Sequence, residues 1–137
     1  MKPEVFIDTS AFYALLVKGD DAHICAAQYL ENASRERRRF VTSDYVLDET
    51  ATLLKARSHG HIVPRFLADV LNSRSCRIVW MDADLFSAVA QCFAKHIDQA
   101  WSFTDCVSFT IMRNLKLRVA LTKDDHFHSA GFETPLI

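Results

Sequence analysis

The sequence predicts an α/β domain in which a central parallel sheet of four to five short strands is covered by helices on both faces, a three-layer α/β/α arrangement. Short β-branched or aromatic runs alternate along the chain with longer segments of helical apolar spacing. Parallel strands need crossover connections, and a helix is the usual crossover. The 137 residues are 50% hydrophobic and include only three Gly and three Pro, so no linker is visible. We therefore expect a single domain over residues 1–137.

Each element has its own local signal. The predicted strands are Val5 to Ile7, Phe40 to Thr42, Arg77 to Met81 and Arg118 to Thr122. Helix starts are marked by residue types that cap helices, namely Ser10, Asp20 or Asp21, Ser43, Asp82 and Ser102. A further helix from Ile62 to Leu71 has Pro64 in its first turn, which favours helix initiation. With the preceding helix it would form a helical hairpin that projects from the sheet.

Composition excludes several classes of protein. The formal net charge is -1, so the protein as a whole does not attract nucleic acid without a local patch or bound cations. The four cysteines show no C-x-x-C spacing, which indicates reduced structural thiols. The sequence contains no recognisable signal segment or membrane span, so we expect a soluble, cytoplasmic protein.

Two other signals receive a structural interpretation, and a third is kept as a candidate contact. The basic run Arg35, Arg37, Arg38 and Arg39 precedes a predicted strand, so it falls at the amino end of the sheet as a solvated turn. The pairs His59-x-His61 and His126-x-His128 do not predict zinc, because alternate helical residues point in nearly opposite directions. Trp101, just before Ser102, is the one aromatic residue that we retain as a candidate substrate contact.

Four acidic residues lie where an apolar run meets a turn or a helix: Asp8, Glu49, Asp105 and Asp124. Asp8 and Asp124 each close a predicted strand, and ligands of parallel sheets bind at the carboxyl ends of strands. Asp105 lies in the first turn of the helix after Ser102. Glu49 falls at the edge of the apolar stripe of its helix. We expect the four carboxylates to converge on one end of the sheet.

Converging carboxylates must be neutralised, because two of them about 4 Å apart repel by roughly 4 kcal/mol at an effective dielectric constant of 20. A site with carboxylate oxygens and no thiolate or other soft ligand suits Mg²⁺ or Mn²⁺. Each acid also has a simpler explanation. Asp105 fits a capping box with Ser102, Asp8 and Asp124 could cap turns, and Glu49 could pair with an arginine. The residues alone leave both explanations open.

Four motifs follow one another along the chain: Phe6-Ile7-Asp8-Thr9-Ser10, Asp48-Glu49-Thr50, Ser102-Phe103-Thr104-Asp105-Cys106, and Leu121-Thr122-Lys123-Asp124-Asp125-His126-Phe127 with Ala130-Gly131-Phe132. Together they resemble the PIN domain, particularly the VapC-like toxins, over essentially the full chain. The resemblance implies a PIN-like fold and an endoribonuclease that depends on Mg²⁺, with Mn²⁺ able to substitute.

The resemblance also implies site residues and partners. The catalytic and metal-binding acids correspond to Asp8, Glu49, Asp105 and Asp124, with Thr9 or Ser10 and Thr104 as hydroxyl neighbours. The implied partners are an RNA substrate (tRNA, ribosomal RNA or mRNA), a cognate antitoxin and a second copy of the chain in a homodimer. One departure matters: Asp125 directly follows Asp124, so the chain offers five acids where the family pattern has four. Asp124 aligns better with that pattern, but a metal could recruit either acid.

A metal-activated water attacking phosphorus predicts a 5′-phosphate and a 3′-hydroxyl, because the ribose 2′-hydroxyl takes no part. Three alternatives remain. One is a phosphoryl-transfer enzyme with an aspartyl nucleophile, although position 10 is Ser where a haloacid-dehalogenase-like site carries a second Asp. Another is a non-catalytic PIN-like binding or regulatory module that acts through a protein partner. The third is a nuclease that cleaves DNA with the same cations.

Overall fold

The computed structural model describes residues 3–137 and has the predicted α/β architecture. Its strands are β1 Val5–Ile7, β2 Phe40–Ser43, β3 Cys76–Val79 and β4 Ala120–Leu121, in the spatial order β3-β2-β1-β4. All of these pairs are parallel, with Phe6 opposite both Val41 and Ala120. Beyond β4, one parallel bridge joins Val119 to Glu133, which agrees with the expected four to five strands.

Helices connect the strands and cover the sheet, as the alternating pattern predicts. In the described part of the chain they are α1 Thr9–Leu16, α2 His23–Arg35, α3 Asp44–Ala56, α4 Val63–Leu71, α5 Ala83–Lys95, α6 Phe103–Asn114 and α7 Asp125–Ser129, with a 3₁₀ turn at Gly60–Ile62. None of the helices within residues 3–137 combines the length and apolar character needed to cross a membrane.

The predicted caps are confirmed at three helices and wrong at two. Ser43, Asp82 and Ser102 each accept a hydrogen bond from a backbone N–H of the first turn that follows. Ser10, in contrast, lies inside α1, whose N-cap is Asp8 without a capping side-chain bond. Helix α2 begins at His23 after Ala22, and Asp20 accepts a hydrogen bond from the Ala22 N–H in the preceding turn.

The core centres on α6, whose residues from Asp105 to Met112 are all buried. A helix that is apolar on most of its circumference must lie in the interior. Phe109 on α6 packs edge-on against Phe127 of α7 with ring centroids 4.9 Å apart, and Phe127 stacks on Phe6 of β1. These aromatic contacts connect the middle of α6 and the short helix α7 to β1.

Helices α3 and α4 are in contact and form the predicted hairpin. Phe66 of α4 is buried and contacts the Phe12 ring of α1 at a centroid distance of 5.1 Å. Ile62 and Leu67 are partly buried against the same core. The stripe formed by these residues therefore belongs to the core and is not a free contact surface.

Sheet order determines where the site forms. Strands β1 and β4 are neighbours, and the Asp8 N–H donates to the Leu121 carbonyl over 3.1 Å. The segments that leave the carboxyl ends of these two strands therefore start side by side. The arginine run lies beyond the other end of the sheet, between the end of α2 at Arg35 and the start of β2, as predicted.

Candidate active site

Asp8 lies at the carboxyl end of β1 and is only 5% exposed. Its Oδ2 accepts a hydrogen bond from the Thr122 hydroxyl over 2.9 Å. Burial is the main cause that raises the pKa of Asp8 to about 7; the carboxylates of Glu49 and Asp105 raise it further, while hydrogen bonds from Thr9 and Thr122 oppose the shift. Without a counter-ion, this carboxyl group therefore tends to keep its proton.

Thr122 connects the two segments that leave β1 and β4. Its hydroxyl donates to Asp8, so it acts as the acceptor for the Asp124 N–H at 3.0 Å and for the Ser10 hydroxyl at 3.2 Å. Ser10 in turn accepts from the Lys123 N–H over 2.8 Å. Thr122 was not among the residues predicted from the sequence. The sequence feature that could have indicated it is a hydroxyl residue two positions before Asp124.

Asp105 is held at the start of α6 by a capping box. Its N–H donates to Ser102 Oγ, and its Oδ2 accepts from the Ser102 N–H, each over 3.0 Å. The predicted capping box between Ser102 and Asp105 is therefore confirmed, and Asp105 has a further contact besides it. His126 Nδ1 also lies 2.9 Å from this same Oδ2. Both contacts within the described residues use Oδ2, so this oxygen faces the His126 ring.

Asp124, and not Asp125, joins Asp105. Asp124 is the N-cap of α7, accepts the His126 N–H over 2.9 Å through Oδ1, and has this oxygen 3.4 Å from His126 Nδ1. One ligand atom from each of Asp105, Asp124 and His126 lies within 4.8 Å of the others. Asp125 is exposed in the first turn of α7. The nearby carboxylates, with the hydrogen bond to Asp105 as the largest cause, raise the pKa of His126.

The remaining predicted residues are more peripheral. Glu49 is exposed on α3 but close enough for its charge to raise the pKa of Asp8, which places it at the rim of the acidic group. The Thr9 hydroxyl donates to the Val46 carbonyl over 3.4 Å, so this side chain is turned toward α3. Thr104 is half-buried in the first turn of α6. Trp101 packs against Phe109 and His96, which makes it largely a core residue.

His126 is the other residue that the sequence analysis missed. The pairing with His128 was rejected because the two rings diverge, and they do: His128 is exposed and lines a separate cavity with Tyr29 and Arg38. The rejection overlooked that one histidine of the pair could join acids from elsewhere in the chain. A His two residues after an N-cap Asp was the available signal.

The donor chemistry of the site fits a divalent cation. Within residues 3–137, His126 is the only basic side chain that forms an ion pair with Asp8, Glu49, Asp105 or Asp124. Lys123 is directed away and pairs with Asp20 and Asp21. Buried carboxylates without cationic partners are unfavourable unless they are protonated or bind a metal ion. The Asp8 carboxyl, which is buried and has its pKa raised to about 7 mainly by that burial, fits such a site.

The chain matches a known protein family. A family model described as the PIN domain matches residues 5–133. Among curated proteins, the chain is 33% identical over 128 residues to the 23S rRNA-specific endonuclease VapC20 of two strains of Mycobacterium tuberculosis, which covers 93% of this chain and 95% of that protein. It is 28% identical over 124 residues to a VapC ribonuclease of Archaeoglobus fulgidus, covering 88% of this chain and 77% of that protein.

Solved structures agree with the sequence matches. The crystal structure of Mycobacterium tuberculosis VapC20, described as a toxin that cleaves the sarcin–ricin loop, superposes with a TM-score of 0.81 at 30% identity. The match covers 94% of this chain and 96% of that chain. The likeness therefore extends over the sheet, the flanking helices and the segments that carry the acidic residues.

Proposed function

The chain belongs to the PIN-domain family, and we propose that it is a metal-dependent endoribonuclease that acts as the toxin of a toxin–antitoxin pair. The single observation that carries this proposal is the group of carboxylates at the carboxyl ends of β1 and β4, which lacks a Lys or Arg partner within residues 3–137. Such a group suits a cation that in turn binds a phosphodiester.

Asp8, Asp105 and Asp124 would hold the cation, with Glu49 at the rim. Mg²⁺ is the proposed ion and Mn²⁺ its substitute, because the acids offer hard oxygen ligands. When bound, the cation neutralises the phosphate charge and favours ionisation of an attacking water. The chain orients the acids: Thr122 holds Asp8, the Ser102 capping box holds Asp105, and the start of α7 holds Asp124. Fragments with a 5′-phosphate and a 3′-hydroxyl are the expected products.

The proposed substrate is RNA, and the first one to test is ribosomal RNA. The curated relative with 33% identity over 93% of this chain is named for 23S rRNA, and its solved structure is described as cleaving the sarcin–ricin loop. An exposed loop also suits the chemistry, because in-line attack needs a backbone free to adopt the required geometry. Cleavage of a synthetic sarcin–ricin stem-loop, compared with cleavage of total RNA and of tRNA, tests this choice directly.

The proposed partners are a cognate antitoxin and a second copy of the chain, in the cytoplasm, with residues 1–137 acting as one domain. Large apolar side chains remain exposed on the isolated chain, including Trp80 and Phe86 after β3 and Ile97 after α5. Exposed apolar surface of this kind favours protein contacts. Size-exclusion chromatography with light scattering tests the dimer: a monomer at high micromolar concentration would contradict it.

The decisive experiment is RNA cleavage by the purified protein with Mg²⁺, Mn²⁺ or EDTA. We expect discrete fragments that disappear in EDTA and fall by at least about a hundredfold in Asp8→Asn, Asp105→Asn and Asp124→Asn, since each removes a metal-binding charge. Asp125→Asn is the matched control, because this exposed neighbour should leave cleavage unchanged.

Other outcomes separate the alternatives. Cleavage that persists in EDTA, or products ending in a 2′,3′-cyclic phosphate, would contradict the metal-dependent mechanism. Metal binding without cleavage of any RNA would favour a binding module that acts through its protein partner. Covalent labelling of Asp8 by a phosphoryl analogue would instead support an aspartyl nucleophile, and cleavage confined to DNA would identify a deoxyribonuclease.

A further inference from the structure

His126 has no role in the mechanism given above, yet its ring is among the acids. Its Nδ1 is 2.9 Å from Asp105 Oδ2 and 3.4 Å from Asp124 Oδ1. Adjacent ligand atoms on an octahedral cation with bonds of about 2.1 Å are about 3.0 Å apart. The separations between this nitrogen and the two oxygens are therefore those of neighbouring ligands on one ion.

The ring position is fixed by the fold. His126 donates its backbone N–H to Asp124 in the first turn of α7, which limits the directions available to its side chain. The next residue, Phe127, is fully buried between Phe6 and Phe109 and anchors this turn to the core. Because the turn is anchored, the nitrogen is presented to Asp105 and Asp124 without a large rearrangement.

From these contacts we infer that His126 is a nitrogen ligand of the cation at this site, which gives the site a mixed nitrogen and oxygen donor set. The inference rests on the proposed function, since it concerns the same cation. In the bound state the Nδ1 lone pair faces the ion and the ring proton is on Nε2. The alternative is that Nδ1–H only donates to Asp105 and orients it as a positioning residue.

A nitrogen donor changes which ion the site prefers. Carboxylates alone suit Mg²⁺, whereas imidazole binds transition metals more strongly, in the order that rises from Mn²⁺ toward Cu²⁺. The inference therefore predicts a preference for Mn²⁺ over Mg²⁺ that depends on His126. Zn²⁺ and Ni²⁺ should also bind to the site and displace Mn²⁺ from it.

The test is pulsed electron paramagnetic resonance of Mn²⁺ bound to the full chain without RNA. We expect ¹⁴N modulation from a directly bound imidazole, replaced by a ¹⁵N pattern when the histidines carry ¹⁵N. The modulation should persist in His128→Asn, the matched control on the same helix, and vanish in His126→Asn. Mn²⁺ affinity should fall about tenfold in His126→Asn, while Mg²⁺ affinity changes less than about threefold.

The other outcomes overturn the inference in distinguishable ways. Mn²⁺ that binds without ¹⁴N modulation, or with modulation retained in folded His126→Asn, leaves the nuclease proposal intact but excludes His126 as a ligand. Absence of Mn²⁺ binding to the wild-type chain contradicts both proposals. His126→Asp covers the case in which His126→Asn does not fold: it keeps a ligand atom, so Mn²⁺ should bind without ¹⁴N modulation and with a smaller preference over Mg²⁺.

Discussion

At the scale of single residues, Thr122 is the side chain on which the arrangement of acids depends most. It is fully buried, donates to Asp8, and accepts from the N–H of Asp124. Ser10 adds a second link between these segments, because its hydroxyl contacts Thr122 and accepts from the Lys123 N–H. A buried hydroxyl with two such partners stabilises the fold and orients the acids at the same time.

Thr122→Val, which keeps the shape and removes the hydroxyl, should lower kcat of RNA cleavage by about 10- to 100-fold, as loss of a supporting contact around a metal ligand does. It should also lower the free energy of unfolding by about 1–3 kcal/mol, because the buried Asp124 N–H loses its acceptor. Thr122→Ser retains the hydroxyl and is the control. Equal activity of the Val variant and the wild type would contradict this role.

Asp8 should make the cation-free protein sensitive to pH. Its folded-state pKa is about 7 and its ordinary value 3.8, so between these values the folded state holds a proton that the unfolded state has released. The free energy of unfolding should therefore decrease as pH rises through this window, by about 4 kcal/mol at most. Below pH 4 both states are protonated and the difference disappears.

Urea unfolding at pH 5 and pH 8 in EDTA, and again with Mg²⁺ or Mn²⁺, measures this effect. A cation binds the ionised carboxylate of the folded state, so it should restore stability mainly at pH 8. Asp8→Asn removes this titrating group and should reduce the loss of stability between the two pH values in EDTA; the loss that remains comes from His126, whose pKa is also raised. A wild-type stability in EDTA that does not fall from pH 5 to pH 8 would contradict the raised pKa.

At the scale of elements, the start of α6 combines a helix cap with a functional side chain. Ser102 and Asp105 satisfy each other's backbone N–H groups, so the same contact that begins the helix also fixes the carboxylate. Helix α5 also has a side-chain N-cap, but this cap holds no proposed metal ligand. Its Asp82 is exposed and accepts a hydrogen bond from the Leu85 N–H. The two caps therefore form a matched pair for mutation.

Ser102→Ala and Asp82→Ala should each lower the free energy of unfolding by about 1 kcal/mol, the usual loss for an N-cap. Only Ser102→Ala should reduce RNA cleavage and weaken cation binding, because only this cap orients a proposed ligand. Thermal denaturation and cleavage of the same RNA give the two readings. Equal effects of both variants on cleavage would mean that the capping box acts through stability alone.

Elements with strong local signals were predicted well from the sequence. β1 begins and ends where predicted, and α6 begins directly after its predicted cap Ser102, because an apolar run or a cap marks each of these boundaries. Helix α7 was not predicted, since five residues are too few to show helical periodicity. The pairing of α4 with α3 agrees with the predicted hairpin. The contact of Phe66 with Phe12 could not be predicted, because it joins residues far apart in the sequence.

In the candidate site, too, residues with a local sequence signal were predicted and residues that depend on distant partners were not. Asp8, Asp105 and Asp124 could be located from their positions at strand ends and a helix start. Thr122 and His126 could not be assigned, since their importance comes from partners 114 and 21 residues away along the chain. The preference for Asp124 over Asp125 came from the family pattern and agrees with the contacts of Asp124.

At the scale of the whole molecule, the proposed metal-binding acids and the arginine run lie at opposite ends of the sheet. The acidic residues lie at the carboxyl ends of β1 and β4, whereas the arginine run lies before β2 at the amino end. Arg37, Arg39 and Arg74 line a surface cavity of about 560 Å³ there. A net charge of -1 is therefore compatible with an acidic group at one end of the sheet and a basic run at the other.

The double variant Arg37→Ala and Arg39→Ala should change kcat/KM for RNA cleavage by less than about threefold at physiological salt, because charges beyond a Debye length of about 8 Å are largely screened. Initial rates across a range of RNA concentrations measure this. A fall of tenfold or more that is strongest at low salt would show instead that RNA contacts both ends of the sheet.

The contact between Thr122 and Asp8 spans 114 residues of the chain, which has a consequence during biosynthesis. A ribosome adds about 5–20 residues per second, so roughly 6–23 s separate the two residues in translation. During this interval the nascent polypeptide contains β1 but neither its β4 neighbour nor α7, and the carboxylates cannot assemble. The proposed metal-binding acids can therefore come together only after nearly the whole chain has been synthesised.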